Sequence, residues 1–434
     1  MAKDGKPGDT SWKTETPRLR FPEFADEELR DVQLGDVTED CTERNGKNKT
    51  RLPIMGVSKS DGIVPMQERL IGKDIARYKR LEKNCFAYNP MRLNIGSIAR
   101  WKGDGDVLVS PDYVVFRCLT EGNSPIDPAY LDHFRCSDQW EDFVAESGDG
   151  GVRIRIYYKD LARLPLRLPS SAEQQKIAEC LTSLDDLITA QEKKLELLKA
   201  HKKGLMQQLF PQATPPPNLT HEFHPKLPRC RFPEFRDAPD WTETSVEHLA
   251  DIQSGGTPSK ANPGFWNGSI PWVSAKDMKR LFLEDSEDHI SMAAVDDGAR
   301  MVPAGTLLIL TRGMTLLKDV PICVLRREMT FNQDAKALRP KVNVNGLFLA
   351  FLLLGNKDRL LKMVDVAGHG TGKLNTDELR AFELVTPSPA EQQRIADCLF
   401  SIDTQFSAES EKLDALKTHK KGLMQQLFPS PEVN

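Results

Sequence analysis

Ser170 to Pro211 reads SSAEQQKIAECLTSLDDLITAQEKKLELLKAHKKGLMQQLFP, and Ser388 to Pro429 reads SPAEQQRIADCLFSIDTQFSAESEKLDALKTHKKGLMQQLFP. The two align without a gap and are identical at roughly two thirds of positions, far beyond chance for an internal repeat. Each copy predicts one long helix. Ser170 with Glu173, and Ser388 with Glu391, have the capping-box spacing, in which hydroxyl and carboxylate each satisfy an orphan amide of the first turn. Pro389 falls at the first helical position, where a missing N–H costs nothing. Pro211 and Pro429 are expected to stop the two helices. About 38 residues at 1.5 Å rise make a rod of roughly 55 Å, too long for an ordinary globular helix.

The apolar spacing says what such a rod packs against. In the first copy Ile177, Leu181, Leu184, Ile188, Leu195, Leu198, Leu205 and Leu209 follow alternating steps of four and three, interrupted at Gln191 and Lys202. In the second copy Ile395, Leu399, Ile402, Phe406, Leu413, Leu416, Leu423 and Leu427 do the same, interrupted at Glu409 and Lys420. A sustained 3.5-residue period is the coiled-coil signature. Two separate amphipathic helices, each lying on its own domain, would carry a similar stripe, but the matched polar interruptions favour packing of one helix on the other. Two equivalent halves related by a pseudo-twofold would run antiparallel, with Gln191 and Glu409 near mid-seam. Leu184, Gln191, Leu195, Leu198, Ile402, Glu409, Leu413 and Leu416 are the candidate seam and partner-binding residues. Leucine at both polar seam positions is expected to raise stability and loosen register.

The repeat extends beyond the rods. Pro17-Arg18-Leu19-Arg20-Phe21-Pro22-Glu23-Phe24 returns as Pro228-Arg229-Cys230-Arg231-Phe232-Pro233-Glu234-Phe235. The expected organisation is a globular region at 17–167, a spacer helix at 168–211, a Pro-rich linker at 212–228, a second globular region at 229–385 and a second spacer helix at 386–429. The fold class is α+β: two mixed α/β globular domains joined by two long helices packed as an antiparallel coiled coil. The globular regions barely resemble each other. Matched rods with divergent globes suggest one kind of partner met twice and two different targets, although a recent duplication with relaxed globes would leave the same pattern.

Composition bounds the function. The 434 residues leave room for two or three domains, with 28 % charged and 39 % hydrophobic residues. No apolar run reaches the ~18 residues of a membrane span. The opening MAKDGKPGDTSWKTETP has no apolar core and is not read as a secretion signal. Eight cysteines without a C-x-x-C pair point to reduced thiols in a cytoplasm rather than to disulfides or zinc. The formal net charge of −4 gives no overall nucleic-acid signal, so any such signal is local.

Local signals exist in both globes. Between Arg69 and Lys102 the cations Arg69, Lys73, Arg77, Lys79, Arg80, Lys83, Arg92, Arg100 and Lys102 meet only Asp74 and Glu82 within the window, and Tyr78, Phe86, Tyr88, Asn89, Asn94 and Trp101 lie among them. Cations for phosphates mixed with amides and aromatics for base edges suit a DNA-reading surface; a solvated basic face has the same composition. Strand-like runs are expected at 106–110 and 113–117. In the second globe, Ser254-Gly255-Gly256-Thr257-Pro258-Ser259-Lys260 reads as a glycine turn able to approach a phosphate, and Ile270 to Val273 as a strand. Arg312, Asn332 and Gln333 lie in a second basic window, and such amides pair with adenine. Gly368 to Lys373 is read as a loop: Ala367 and Leu374 stand where a P-loop needs glycine and Ser or Thr.

Enzyme signatures are missing from the sequence. Neither Asn262-Pro263-Gly264-Phe265 nor Asn89-Pro90-Met91 has the second proline of an aminomethyltransferase motif, and His221-Glu222-Phe223-His224 lacks the spacing that puts two imidazoles on one helix face. There is no G-x-S-x-G elbow.

With these residues in view the chain resembles the specificity subunit of a type I restriction–modification enzyme. The match rests on the P-S-x-x-E-Q-Q-x-I-A lead into each rod, the K-K-G-L-M-Q-Q-L-F-P ends, the R-F-P-E-F openings, the glycine turn at Ser254 to Pro258, and Phe331-Asn332-Gln333-Asp334. It covers nearly the whole chain in order. The resemblance implies two target recognition domains, each reading half of a split, asymmetric double-stranded DNA sequence. It implies rods that space the half-sites and dock two modification subunits, which bind S-adenosylmethionine and methylate adenine, and two ATP- and Mg-dependent restriction subunits. The chain itself would be non-catalytic, without cofactor or metal, and cytoplasmic. The DNA-binding candidates are Arg77, Lys79, Arg92, Arg312, Lys260 and Lys373 for phosphates, and Tyr88, Asn89, Asn94, Thr257, Asn332 and Gln333 for base or shape readout. Asn89, Asn332 and Gln333 are equally residues that close turns. The alternative reading is a stand-alone DNA-binding or coiled-coil scaffold protein outside any restriction complex.

Overall fold

The computed structural model describes residues 16–46, 52–72, 74–122, 125–147, 155–211, 227–366 and 370–428. The Pro-rich linker lies almost wholly outside them. The chain divides into two units, one made of 1–192 with 411–434 and the other of 193–410. Each long helix therefore gives its N-terminal half to one unit and its C-terminal half to the other.

The helices span Ser171–Leu209 and Pro389–Leu427, 39 residues each. Only half of the expected capping box forms. Ser170 and Ser388 accept from the amides of Glu173 and Glu391 at 3.4 Å, but the carboxylates turn to the arginines of the R-F-P-E-F openings. Arg20 Nε and Nη2 donate to Glu173 at 3.0 and 2.5 Å; Arg231 repeats this fork on Glu391 at 2.9 and 2.5 Å. Both glutamates are 1 % exposed, and a desolvated carboxylate gains more from a guanidinium than from an exposed amide. In return the Arg20 and Arg231 pKa values rise, chiefly through these hydrogen bonds and against the effect of burial.

The next residue of each motif anchors a globe. Gln174 Nε2 donates to Pro169 O at 3.0 Å while its Oε1 accepts from Asp127 N at 2.9 Å. Gln392 Nε2 donates to Pro387 O at 3.0 Å while its Oε1 accepts from Asn345 N at 3.0 Å. Asp127 and Asn345 are the N-caps of the helices Pro128–Phe134 and Gly346–Gly355. The second of these is apolar all round because Phe348 to Leu353 are all buried.

In the first unit, strands Arg30–Gln33 and Pro165–Leu168 pair antiparallel at the foot of the globe. A four-stranded sheet runs in the order Thr38–Asp40, Val114–Cys118, Phe86–Tyr88, Ile98–Arg100. A second follows Gly62–Pro65, Ile54–Ser58, Val107–Val109, Lys79–Leu81. The two strands anticipated at 106–110 and 113–117 fall in these sheets. The main core joins Phe86, Tyr88, Phe116, Tyr130 and Phe134 to Ile177 and Leu181 of the first long helix, and to Leu427 and Phe428 at the end of the second.

In the second unit, Thr242–Ser245 pairs with Glu383–Thr386 in the same manner. A five-stranded sheet has the order Ala250–Ser254, Ala335–Pro340, Leu307–Leu310, Ile322–Leu325, Phe282–Leu283. A four-stranded sheet contains the anticipated strand Ile270–Val273, and a three-stranded one joins Arg312–Gly313, Gly372–Leu374 and Val364–Val366. The loop expected at Gly368 to Lys373 thus ends in a strand; residues 367–369 lie outside the described residues. Leu209 and Phe210 enter this unit's core beside Ile395 and Leu399. Among the described residues no helix is long and apolar enough to cross a membrane.

Candidate nucleic-acid interface

Burial sorts the candidates of the first unit. Tyr88 is fully buried at the centre of its sheet, with Phe116 edge-on at 6.3 Å. It is a core residue and cannot meet a base, which corrects the expectation. Asn89 is half-buried, and its Oδ1 accepts from Met91 N at 3.0 Å, so its side chain closes a turn. That turn carries Arg92 and Asn94, both exposed, between the exposed side chains of Met91 and Ile95. Arg77 is exposed on the turn Ile75–Arg77. Lys79 is half-buried on its strand; burial lowers its pKa, opposed by the charge of Asp40.

The basic window is less basic in space than in sequence. Arg80 is paired with Asp106 and Glu43, Lys83 with Asp104, and Arg100 and Lys102 with Asp132. These carboxylates lie outside the counted window, so proximity in sequence overstated the free charge. Asp132 is buried, which raises its pKa, but Arg135 and Lys102 outweigh burial and hold it below the usual carboxylate range.

The second unit keeps most of its candidates exposed. Thr257, Lys260, Arg312, Gln333 and Lys373 are all exposed. Arg312 and Lys373 face each other across adjacent antiparallel strands, and Arg312 N donates to Asp334 O at 3.1 Å, which ties this sheet to the turn bearing Gln333. Asn332 is the exception: it is 7 % exposed, and its Oδ1 accepts from Ala335 N at 3.2 Å. It holds the turn and does not reach a base edge, a second correction. In the glycine turn, a Cβ on Gly255 would stand 2.3 Å from Phe331 O and 2.4 Å from Asn332 O, so glycine at this position admits the neighbouring strand end.

Sequence reasoning missed the ion pairs along the helices. In the first unit Lys420 Nζ lies 2.5 Å from Asp185 and Lys417 lies 2.6 Å from Glu192. In the second, Lys202 Nζ lies 2.6 Å from Asp403, and Lys194 pairs with Glu409. A signal is present in the sequence, since Asp185 and Asp403 occupy the same place in the two copies, as do their partners Lys420 and Lys202. The apolar seam candidates are buried at Leu195 and Ile402 and half-buried at Leu184, Leu198, Leu413 and Leu416; Gln191 is buried and Glu409 half-buried.

Comparison with known proteins places this geometry. The model of the type I restriction modification DNA specificity domain matches residues 128–200 and 239–418, more than half of the chain. The chain belongs to this family. Among its relatives, the Escherichia coli type I restriction enzyme EcoR124I/EcoR124II specificity subunit is 34 % identical over 161 residues, 37 % of this chain and 40 % of that one. The chain thus spans about two fifths of that relative's length. A putative type I restriction enzyme MjaX specificity subunit of Methanocaldococcus jannaschii is 23 % identical over 430 residues, 92 % of each chain. The type I restriction–modification system S subunit from M. genitalium shares the fold with a TM-score of 0.59 and 13 % identity, covering 96 % of this chain and all of that one.

Proposed function

We propose that the chain is the sequence-reading subunit of a type I restriction–modification complex, recognising a bipartite, asymmetric double-stranded DNA target with one recognition domain in each unit. The observation that carries the reading is a common scaffold under unlike faces. The Arg–Glu fork, the Gln-to-N-cap bond and the Lys–Asp pair recur in both units. The exposed residues above them differ: Arg77, Arg92 and Asn94 in one, Thr257, Lys260, Arg312, Gln333 and Lys373 in the other. A constant base carrying two different polar, cationic surfaces suits one kind of partner and two different DNA half-sites.

The pseudo-twofold, antiparallel packing of the helices belongs to the same reading. Within each unit taken alone, partner numbers fall along the second helix as they rise along the first: Asp185 with Lys420 and Glu192 with Lys417, then Lys194 with Glu409 and Lys202 with Asp403. The recognition domains are 17–167 and 229–385, and the helices at 168–211 and 386–429 are the spacer. Two modification subunits dock on the helices and supply the S-adenosylmethionine-dependent methylation of adenine. Restriction subunits bring ATP and Mg. The complex works in the cytoplasm, where DNA is its substrate.

Mobility-shift titrations of the chain, alone and with a modification subunit, test this reading. Weak, salt-sensitive binding alone and tight, sequence-specific binding together are expected. Arg77→Ala with Arg92→Ala should weaken binding to all sequences and reduce the salt slope by about 1 per lost phosphate contact. Methyl transfer by the chain alone, or no DNA binding by the complex, contradicts it.

A further inference from the structure

Each unit carries a short, stiff turn that shows apolar side chains to solvent beside an arginine. In the first unit residues 89–97 double back on themselves: Asn89 Oδ1 accepts from Met91 N at 3.0 Å, Arg92 N donates to Asn89 O at 2.9 Å, and Ser97 N donates to Arg92 O at 3.0 Å. Leu93 is buried and anchors the turn, and Gly96 closes it at φ +84°. Met91 and Ile95 are left 50 % and 52 % exposed, on either side of exposed Arg92 and Asn94. The second unit builds a like turn from unrelated sequence. Gly313, at φ +144°, leads the chain out of the strand Arg312–Gly313 into the 3-10 turn Met314–Leu317. Leu316 is buried beneath it, and a Cβ on Gly372 would stand 2.7 Å from Leu316 Cβ, so that glycine makes room for the anchor. Lys318 N closes the turn on Thr315 O at 3.0 Å. Met314 and Leu317, three residues apart and so on one face of the turn, are 63 % and 40 % exposed. They adjoin the strand pair that carries Arg312 and Lys373.

A single exposed apolar residue needs no explanation. A pair held on a stiff turn next to a phosphate-binding candidate does, because those side chains gain by leaving water only against another apolar surface. Between the phosphates of a duplex, that surface is the base stack. Met, Ile and Leu are among the side chains that enter base steps from the minor groove and kink the duplex. Such a side chain must hold base pairs apart against their stacking, so its backbone has to be rigid, and the buried leucine under each turn supplies that rigidity. We propose that Met91 with Ile95, and Met314 with Leu317, are wedges that enter the minor groove of the two half-sites and part a base step there, while Arg92 and Arg312 hold the adjacent phosphates. Each half-site is then bound in a kinked form. This rests on the reading of the chain as a DNA-recognition subunit.

The test uses the full chain with its modification subunit and duplexes carrying the motif found by sequencing methylated cellular DNA. The fluorescent base 2-aminopurine, which brightens when unstacked, is placed in turn at the steps of each half-site away from the methylated adenine, and a donor and acceptor dye at the duplex ends report bending. The wild type should brighten one step in each half-site and bring the ends closer, as a kink of roughly 20–90° requires. Met91→Ala with Ile95→Ala should abolish the brightening in one half-site only, and Met314→Ala with Leu317→Ala in the other. Each pair should weaken binding by about tenfold and leave the salt slope unchanged, since no phosphate contact is lost. Met91→Leu with Ile95→Leu, and Met314→Leu with Leu317→Met, keep an apolar wedge and should behave as the wild type. A motif duplex bound specifically by the wild type but left straight and stacked overturns the wedges alone. So do alanine pairs that match the wild type, alanine pairs that lower the salt slope, and loss of binding by the leucine and methionine swaps. Alanine pairs that impair assembly with the modification subunit in the absence of DNA would make the turns protein-docking surfaces and overturn the wedges as well. A wild-type complex with no defined motif overturns the DNA-recognition reading, and the wedges with it.

Discussion

The Tyr88 hydroxyl is buried with no hydrogen-bond partner among the described residues, and such a group costs about 1–3 kcal/mol of stability. Tyr88→Phe should therefore leave DNA binding unchanged and raise stability by about 1 kcal/mol in denaturant titration; weakened DNA binding would return Tyr88 to the interface. His133 is also costly, but only in acid. It is buried beside Thr182, its Nε2 at 3.0 Å from the hydroxyl. Burial pushes its pKa down to about 4; Lys420 and Lys102 act in the same direction, while Asp185 and Asp132 oppose them. The unfolded chain takes up this proton near pH 6.5. Stability is then full above about 6.5 and falls as pH drops toward 4, by on the order of 3 kcal/mol. Phe351 stands as far beyond its N-cap as His133 does, in the corresponding short helix of the other unit. His133→Phe should flatten this part of the pH profile, measured as thermal midpoints of the first unit's transition in the full chain. Residue types named the right neighbourhoods in the sequence, but not exposure: Tyr88 and Asn332 look like readers until burial places them in a core and a turn.

At the level of elements, the long helices were legible because their period, caps and interruptions agree with one another. What escaped was the reason for the R-F-P-E-F repeat. A capping box is a local pattern, and nothing local shows that Glu173 is claimed by an arginine 153 residues away. Arg20→Ala leaves that carboxylate buried and unpaired, so it should cost about 3 kcal/mol in denaturant unfolding, and Arg231→Ala should do the same in the second unit. A loss as small as that of an exposed ion pair would mean that the fork is incidental. The basic window overstates the free charge for a related reason: Asp104 and Asp106, from the loop before Val107, and Asp132, from the helix Pro128–Phe134, come to Arg80, Lys83, Arg100 and Lys102 only on folding.

At the scale of the molecule, one repeated scaffold carries two different sets of exposed polar and cationic side chains. The repeat frames the domain order expected from the sequence. The reading surfaces were not legible there, because a cation's freedom depends on partners distant in sequence. The two long helices should act as the ruler, and their length should appear in the DNA target. The most direct measurement is the methylation motif of cells expressing the chain with its modification subunit, for the wild type and for a variant with one heptad inserted after Gln191 and another after Glu409. The account predicts two short specified blocks separated by a fixed unspecified gap, and in the variant the same blocks with a longer gap. A single uninterrupted motif, or a gap that ignores the insertions, would contradict it.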